Sequence, residues 1–313
     1  MTILNHSGVS HTVFCLLGIS GLEDHHMWIS ILFFISYVIA LLGNNLLIFI
    51  ILTKHSLHVP MYLFLCMLAR ADVVLCTSTV PQALTIFWFN AEEISLHCCI
   101  TQPFFIHSTF ISESGILLMM AFDCYIAIWY PLRYTIILTH SLIGKLGLTI
   151  FLRSYGTIFP ILFLLKRLTF CQSNVIPHTF CERIGLAKYA CNDIQVNIWH
   201  GLLVMVSTVV LDVLLIFVSY LLILYALFDM PSHEAHHKAC NTCGSHICII
   251  ILFYGPGMFT ILTQWFGHHI PPHIHILLVN VCILVPPMLN PIIYGIKTKQ
   301  ILDQVVHVLF TRN

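Results

Sequence analysis

The chain has 313 residues, of which 58% are hydrophobic and 8% charged, and its formal net charge is zero. A soluble domain carries charge on about a quarter of its residues, so this chain cannot cover a globule with polar surface and lipid must be its solvent. The balanced charge offers no pull toward nucleic acid or an anionic substrate, and nucleic acid is excluded as a partner.

Crossing a hydrocarbon core as a helix takes roughly 20 apolar residues. Runs of that length recur at 27–52, 61–88, 100–129, 142–165, 198–228, 239–264 and 273–295. The expected fold is an all-α membrane protein, a seven-transmembrane-helix bundle over 27–295. An extracellular tail, 1–26, precedes it, and a cytoplasmic tail, 296–313, ends it in a short amphipathic helix along the inner leaflet. The first 26 residues hold no Lys or Arg, so the first helix is expected to act as an uncleaved anchor. Lys54, Arg133, Lys145, Lys238, Lys297 and Lys299 flank one side, which the positive-inside rule makes cytoplasmic. The long loop at 166–197 breaks the pattern with Lys166, Arg167, Arg183 and Lys188. The N-terminus then lies outside, where the sequon Asn5-His6-Ser7 is expected to carry a glycan.

In the first helix, Gly43-Asn44-Asn45 reads as a small-residue contact with an amide bonding a neighbouring helix. The second opens on Pro60-Met61-Tyr62-Leu63-Phe64-Leu65 and carries Asp72; the third carries Glu113. Buried carboxylates need a partner, a proton or a cation, and two of them invite a shared one. Arg70, two residues before Asp72, points away from it. Cys99 opens the third helix, and Cys171, Cys181 and Cys191 lie in the loop at 166–197. Cysteines on the oxidising side suggest disulfides, with three connectivities open for these four; Cys15 and Cys98 are left over.

The third helix ends in Met120-Ala121-Phe122-Asp123-Cys124-Tyr125 and runs on to Pro131-Leu132-Arg133-Tyr134. Further on, His233-Glu234-Ala235-His236-His237 satisfies the zinc-protease pattern H-E-x-x-H. It follows a proline in a short loop, with no third ligand and no room for a substrate cleft, so a metalloprotease is rejected. A transporter or channel would need a polar path or inverted repeats, and no internal repeat is present. Lys238-Ala239-Cys240-Asn241-Thr242-Cys243-Gly244-Ser245-His246 leads into the sixth helix. There Pro256, in Phe253-Tyr254-Gly255-Pro256, removes a helix hydrogen bond and makes a hinge. Pro286-Pro287-Met288-Leu289-Asn290-Pro291-Ile292-Ile293-Tyr294 breaks the seventh helix in the same way.

The stretch MAFDCYIAIWYPLRY resembles the MAFDRYVAICxPLRY signature that ends the third membrane helix of odorant receptors, a group of rhodopsin-like G-protein-coupled receptors. PMYLFL, KACNTCGSH, FYGP and PMLNPIIY look like that family's PMYxFL, KAxxTCxSH, FYxP and PMLNPIIY, in the same order. FFIHS and PPHIHILLVNVCILVPPMLNPIIYG are most similar to its class I, fish-like group. The resemblance implies a receptor and not an enzyme. It would bind a small volatile odorant inside the bundle and activate a stimulatory-type (olfactory) heterotrimeric G protein at the plasma membrane. It implies the disulfides Cys99–Cys181 and Cys171–Cys191, and no cofactor apart from an interior sodium ion at Asp72 and Glu113. The ligand positions it implies are His107, Phe110 and Ile111 on the third helix, Gly201, Val204 and Thr208 on the fifth, and Tyr254, Gly257, Ile261 and Trp265 on the sixth. Trp265 stands where acid-binding class I members carry an arginine, so short fatty acids are expected to be poor ligands. The G-protein switch would comprise Asp123, Cys124, Tyr125, Tyr220, Asn290, Pro291 and Tyr294. The family's arginine is Cys124 here. A thiol supplies no cation, so Asp123 is expected to lack its neighbour and coupling to be reduced.

Overall fold

A backbone in hydrocarbon has to satisfy its own hydrogen bonds, and a helix does so within one segment. The computed structural model describes residues 11–228, 233–266 and 271–310, with side chains in the sixth helix from 243 to 259. The apolar runs become α1 (His26–Thr53), α2 (Pro60–Phe89), α3 (Leu96–Trp129), α4 (His140–Lys166), α5 (Gln195–Phe228), α6 (His233–Phe266) and α7 (Pro272–Lys297). The amphipathic α8 (Lys299–Phe310) follows. Six of these are long and apolar enough to cross a membrane, and α6 adds a shorter apolar stretch, Cys243–Phe259.

Burial ranks the helices. In its most apolar window α3 is 72% buried, whereas α5 is 17% buried, so α3 is the axis of the bundle and α5 shows most of its side chains to lipid. Exposed Leu, Val and Phe on α5, such as Leu203, Leu214 and Phe217, are what a lipid-facing surface requires.

Close contact of α1 with α7 rests on Gly43, where an added Cβ would lie 2.8 Å from Pro291 Cγ. Pro291 has no N–H, so the carbonyl four residues back, that of Pro287, loses its helix partner. The side chain of Asn44 replaces it, Nδ2 donating to the Pro287 oxygen at 2.8 Å. The small residue and the amide that follows it thus act together at one helix crossing.

Outside the bundle the chain adds a feature the periodicity did not reveal, a three-stranded sheet. β1 (Val13–Leu16) pairs antiparallel with β2 (Glu93–Ser95) and parallel with β3 (Val175–Ile176). The sheet ties the N-terminal segment, the α2–α3 turn and the α4–α5 loop together on the face opposite α8. Asn5 lies outside the described residues.

Candidate functional site

The loop between α4 and α5 roofs the outer half of the bundle. Cys181 is disulfide-bonded to Cys99 at the start of α3, and Cys171 to Cys191 within the loop. Gln102 on α3 seats the same segment: its Oε1 accepts from the Cys181 amide at 2.8 Å, while its Nε2 donates to the Ser78 carbonyl on α2 at 2.8 Å. The Thr179 hydroxyl donates to Asn280 Oδ1 on α7 at 2.8 Å.

Beneath that roof lie two cavities that share His107 and Phe110 as a wall. One, of about 240 Å³, is lined further by Ile106, Phe180, Glu182, Gly257 and Ile283. The other, of about 230 Å³, is lined by Ile111, Ile158, Arg183, His200, Gly201, Val204 and Thr208. The expected α3 and α5 positions therefore surround one space, and Gly257 faces the adjoining one. Tyr254 lines neither; it sits deeper. The side chains of Ile261 and Trp265 lie outside the described residues. A π-helical turn, Met205–Val210, widens α5 at this level, and such turns re-aim the side chains around them.

Arg183 was not singled out from the sequence. It enters this cavity from the loop because Gly201 has no side chain: a Cβ there would overlap the guanidinium. Arg183 Nη1 donates to the Asn197 carbonyl at 2.7 Å, and no carboxylate among the described residues forms an ion pair with it. Burial pulls its pKa down, against the charge of Glu182, yet an arginine keeps its proton. The Asn197 amide and His200 Nδ1 are buried without partners. The cavity is mostly apolar in its walls, with Arg183, His200, His107 and Thr208 as its polar lining.

Deeper in the bundle a charged network joins four helices. Arg153 on α4 holds Asp212 on α5 in a two-pronged pair, at 2.7 and 2.6 Å. Ser114 on α3 donates to Asp212 at 2.9 Å and shares a 2.7 Å hydrogen bond with the Tyr254 hydroxyl on α6. Asp212 is fully buried. Such residues inside membrane helices pair with one another because an isolated charge there is costly, and that rule could have flagged both from their place in the fourth and fifth apolar runs. Nearer the centre, Asn290 Nδ2 donates to both oxygens of Asp72, at 3.2 and 3.0 Å. Glu113 is 1% exposed, and its Oε1 and the Asn290 Oδ1 have no partner. These oxygens are the donors a hard cation takes, so the residues present fit a sodium ion.

At the cytoplasmic end Asp123 does not lack a neighbour. The turn after α3, helical over Pro131–Arg133 and Tyr134–Ile137, brings the Tyr134 hydroxyl back to donate to Asp123 Oδ1 at 2.8 Å. Burial, with the Asp123 charge beside it, pushes the Tyr134 phenol up, so it remains a donor at neutral pH. Cys124 packs with Cys243 of α6 in an apolar nest formed with Ile223 and Leu227, against which Tyr125 also packs. One turn on, the Tyr220 hydroxyl and His246 Nδ1 share a 2.7 Å hydrogen bond. Tyr294 is fully buried, with its hydroxyl 3.9 Å from the Met120 sulfur.

Comparison with known proteins agrees with this architecture. The family model described as olfactory receptor matches residues 33–312. The chain is 76% identical to human olfactory receptor 52B4 over 312 residues, covering 100% of this chain and 99% of that one. It is 54% identical to human olfactory receptor 52B2, covering 98% and 96%. Squid rhodopsin in its crystal structure superposes with a TM-score of 0.74 at 15% identity, over 92% of this chain and 86% of that one, which fixes the fold. The chain therefore belongs to the olfactory receptor family, as a multi-pass plasma-membrane receptor for odorants that works with a heterotrimeric G protein and is not an enzyme.

Proposed function

We propose that this receptor takes a small volatile odorant into the paired cavities around His107 and Phe110, and that the polar head of the ligand is an acceptor held by Arg183. The observation that carries this reading is the Arg183 guanidinium, without an ion pair among the described residues, in a mostly apolar space. Pockets of this kind bind through apolar area and orient through a few polar groups. Because a guanidinium suits carboxylates in a two-pronged fit, short carboxylic acids are ligands here, reversing the expectation drawn from Trp265. Tyr254 then senses the filled pocket through Ser114 and Asp212, and α6 turns about Pro256. Asp72, Glu113 and Asn290 hold a sodium ion in the resting state.

The G protein is of the stimulatory type, and its activation is weakened by Cys124. The family's arginine would offer a cation at this point; the thiol instead sits in an apolar contact with α6 that favours the closed arrangement. The test is cyclic-AMP output from cells with surface-verified receptor, wild type beside Cys124→Arg, against acids, esters and alcohols of equal chain length. The expected result is a larger response from the arginine variant, with acids the most potent. Equal responses from both forms would remove the account of the switch. Equal potency of acids and alcohols would remove the role of Arg183.

A further inference from the structure

A groove unrelated to the odorant cavity opens between α2, α3 and α4. It has a volume of about 320 Å³ and is lined by, among others, Arg70, Thr109, Ser112, Gly144, Phe151 and Tyr155. From Gly144 to Tyr155 it follows α4 for eleven residues, about 16 Å at the helical rise, from near the cytoplasmic end of that helix to just past its middle. Arg70 lies ten residues from the cytoplasmic end of α2, about 15 Å along that apolar helix. It is exposed, and among the described residues no hydrogen bond or ion pair reaches it. Such a cation at this depth marks a site when nothing in the protein compensates it. Two further observations point to a ligand. Thr109 is 1% and Ser112 9% exposed, both line the groove, and the hydroxyl of each is buried without a partner. They stand three residues apart, on one face of α3.

We infer that this groove binds a single-chain, long-chain carboxylic acid drawn from the inner leaflet. Its carboxyl group lies on Arg70 and the Thr109 and Ser112 hydroxyls, and its hydrocarbon tail lies along Phe151 and Tyr155. The guanidinium fork matches a carboxyl group in two-pronged geometry, and the hydroxyls add donors that the protein leaves unused. Depth selects the single chain. A carboxylic acid in its neutral form moves through hydrocarbon, whereas a phospholipid's phosphodiester is held at the interface by its permanent charge and stays above Arg70.

The test uses the full-length receptor in lipid nanodiscs, with a photoreactive diazirine analogue of palmitic acid and a matching palmityl-alcohol probe. The acid probe is expected to label the α4 peptide spanning 143–155, and Arg70→Leu to lower labelling tenfold or more. Arg70→Leu removes a charge from the membrane, so its insertion is not at risk. Gly144→Leu, where added atoms meet open space, fills the groove from a different helix and should block labelling equally. The inference is overturned by labelling that survives both changes, or by equal labelling with the alcohol, which would mean an apolar crevice without headgroup recognition. It is also overturned if anionic phospholipid competes and unlabelled palmitic acid does not.

Discussion

Cys124 and Asp123 at the inner end of α3, and Arg183 at the outer end, are each judged by what surrounds them. Cys124 is 3% exposed and sits among apolar neighbours, where a thiol packs as a small hydrophobe. Its neighbour Asp123 is equally buried and has the Tyr134 hydroxyl as its partner. Replacing Tyr134 by Phe leaves a buried carboxylate unpaired, which costs about 1–3 kcal/mol; the expected outcome is a lower melting temperature, checked by thermal denaturation of purified receptor. Tyr134→Phe with Asp123→Asn should recover part of that loss, since the charge has gone as well. At the outer end, Arg183→Met removes a charge-assisted hydrogen bond worth about 1.5–3 kcal/mol, or roughly a tenfold to hundredfold loss of potency for acid odorants in dose–response measurement. His107→Ala, by contrast, should weaken acids and esters alike, because His107 lines both cavities. Unchanged potency in His107→Ala at equal surface level would place the ligand elsewhere.

Among the helices, the Arg153–Asp212 pair holds α4 to α5, and Ser114 and Tyr254 extend the tie to α3 and α6. Removing one partner of a buried pair costs about 3–5 kcal/mol because the other charge is stranded, while replacing both by apolar residues is often neutral. Arg153 is 29% exposed, so the lower end of that range applies to losing Asp212. Arg153→Met should therefore lower the melting temperature sharply, and Arg153→Met with Asp212→Leu should restore it while leaving Tyr254 uncoupled from α5. A double variant as unstable as the single one would mean that the pair shapes the packing and does more than neutralise itself. The helices around this network were legible in the sequence because their apolar runs match the bilayer, and so was an amide of Gly43-Asn44-Asn45 bonding a neighbouring helix, though not the Pro287 carbonyl as its acceptor. Asp212 and Arg153 are legible by the same reasoning as Asp72 and Glu113, since each is an ionisable residue inside an apolar run. Arg183 was not legible. Its position follows from the Cys99–Cys181 bond and from Gln102, which fix a loop path that no local pattern encodes. The strand Val13–Leu16 likewise gains its conformation from partners some 80 and 160 residues away, Glu93–Ser95 and Val175–Ile176.

At the scale of the molecule, the polar groups form a column down the bundle: Arg183 at the odorant cavity, the Asp212 network below it, Asp72 with Asn290 and Glu113 at the centre, and Asp123 at the cytoplasmic end. Hydrocarbon surrounds the column, so each level has to be neutralised internally; Arg183 at the top has no ion pair among the described residues, and the central level also falls short. Asn290 supplies two hydrogen bonds to Asp72, yet Glu113 Oε1 and Asn290 Oδ1 remain without partners. A sodium ion there would bind the oxygens of α2, α3 and α7 at once, and anything that binds the folded, resting form stabilises it by mass action. Raising sodium from trace to 150 mM, with potassium or choline keeping ionic strength constant, should therefore raise the melting temperature of the purified receptor. At 100 times the dissociation constant the gain is about 2.7 kcal/mol. Glu113→Gln should abolish the sodium response while leaving the stability in potassium unchanged or higher, because a buried charge without a partner has been removed. Agonist should oppose sodium in the wild type and be indifferent to it in the variant, since linkage requires each ligand to weaken the other by the same factor. If sodium and potassium stabilise the wild type equally, the carboxylates hold a proton in place of a metal ion, and the centre of the column is neutral before any ligand arrives.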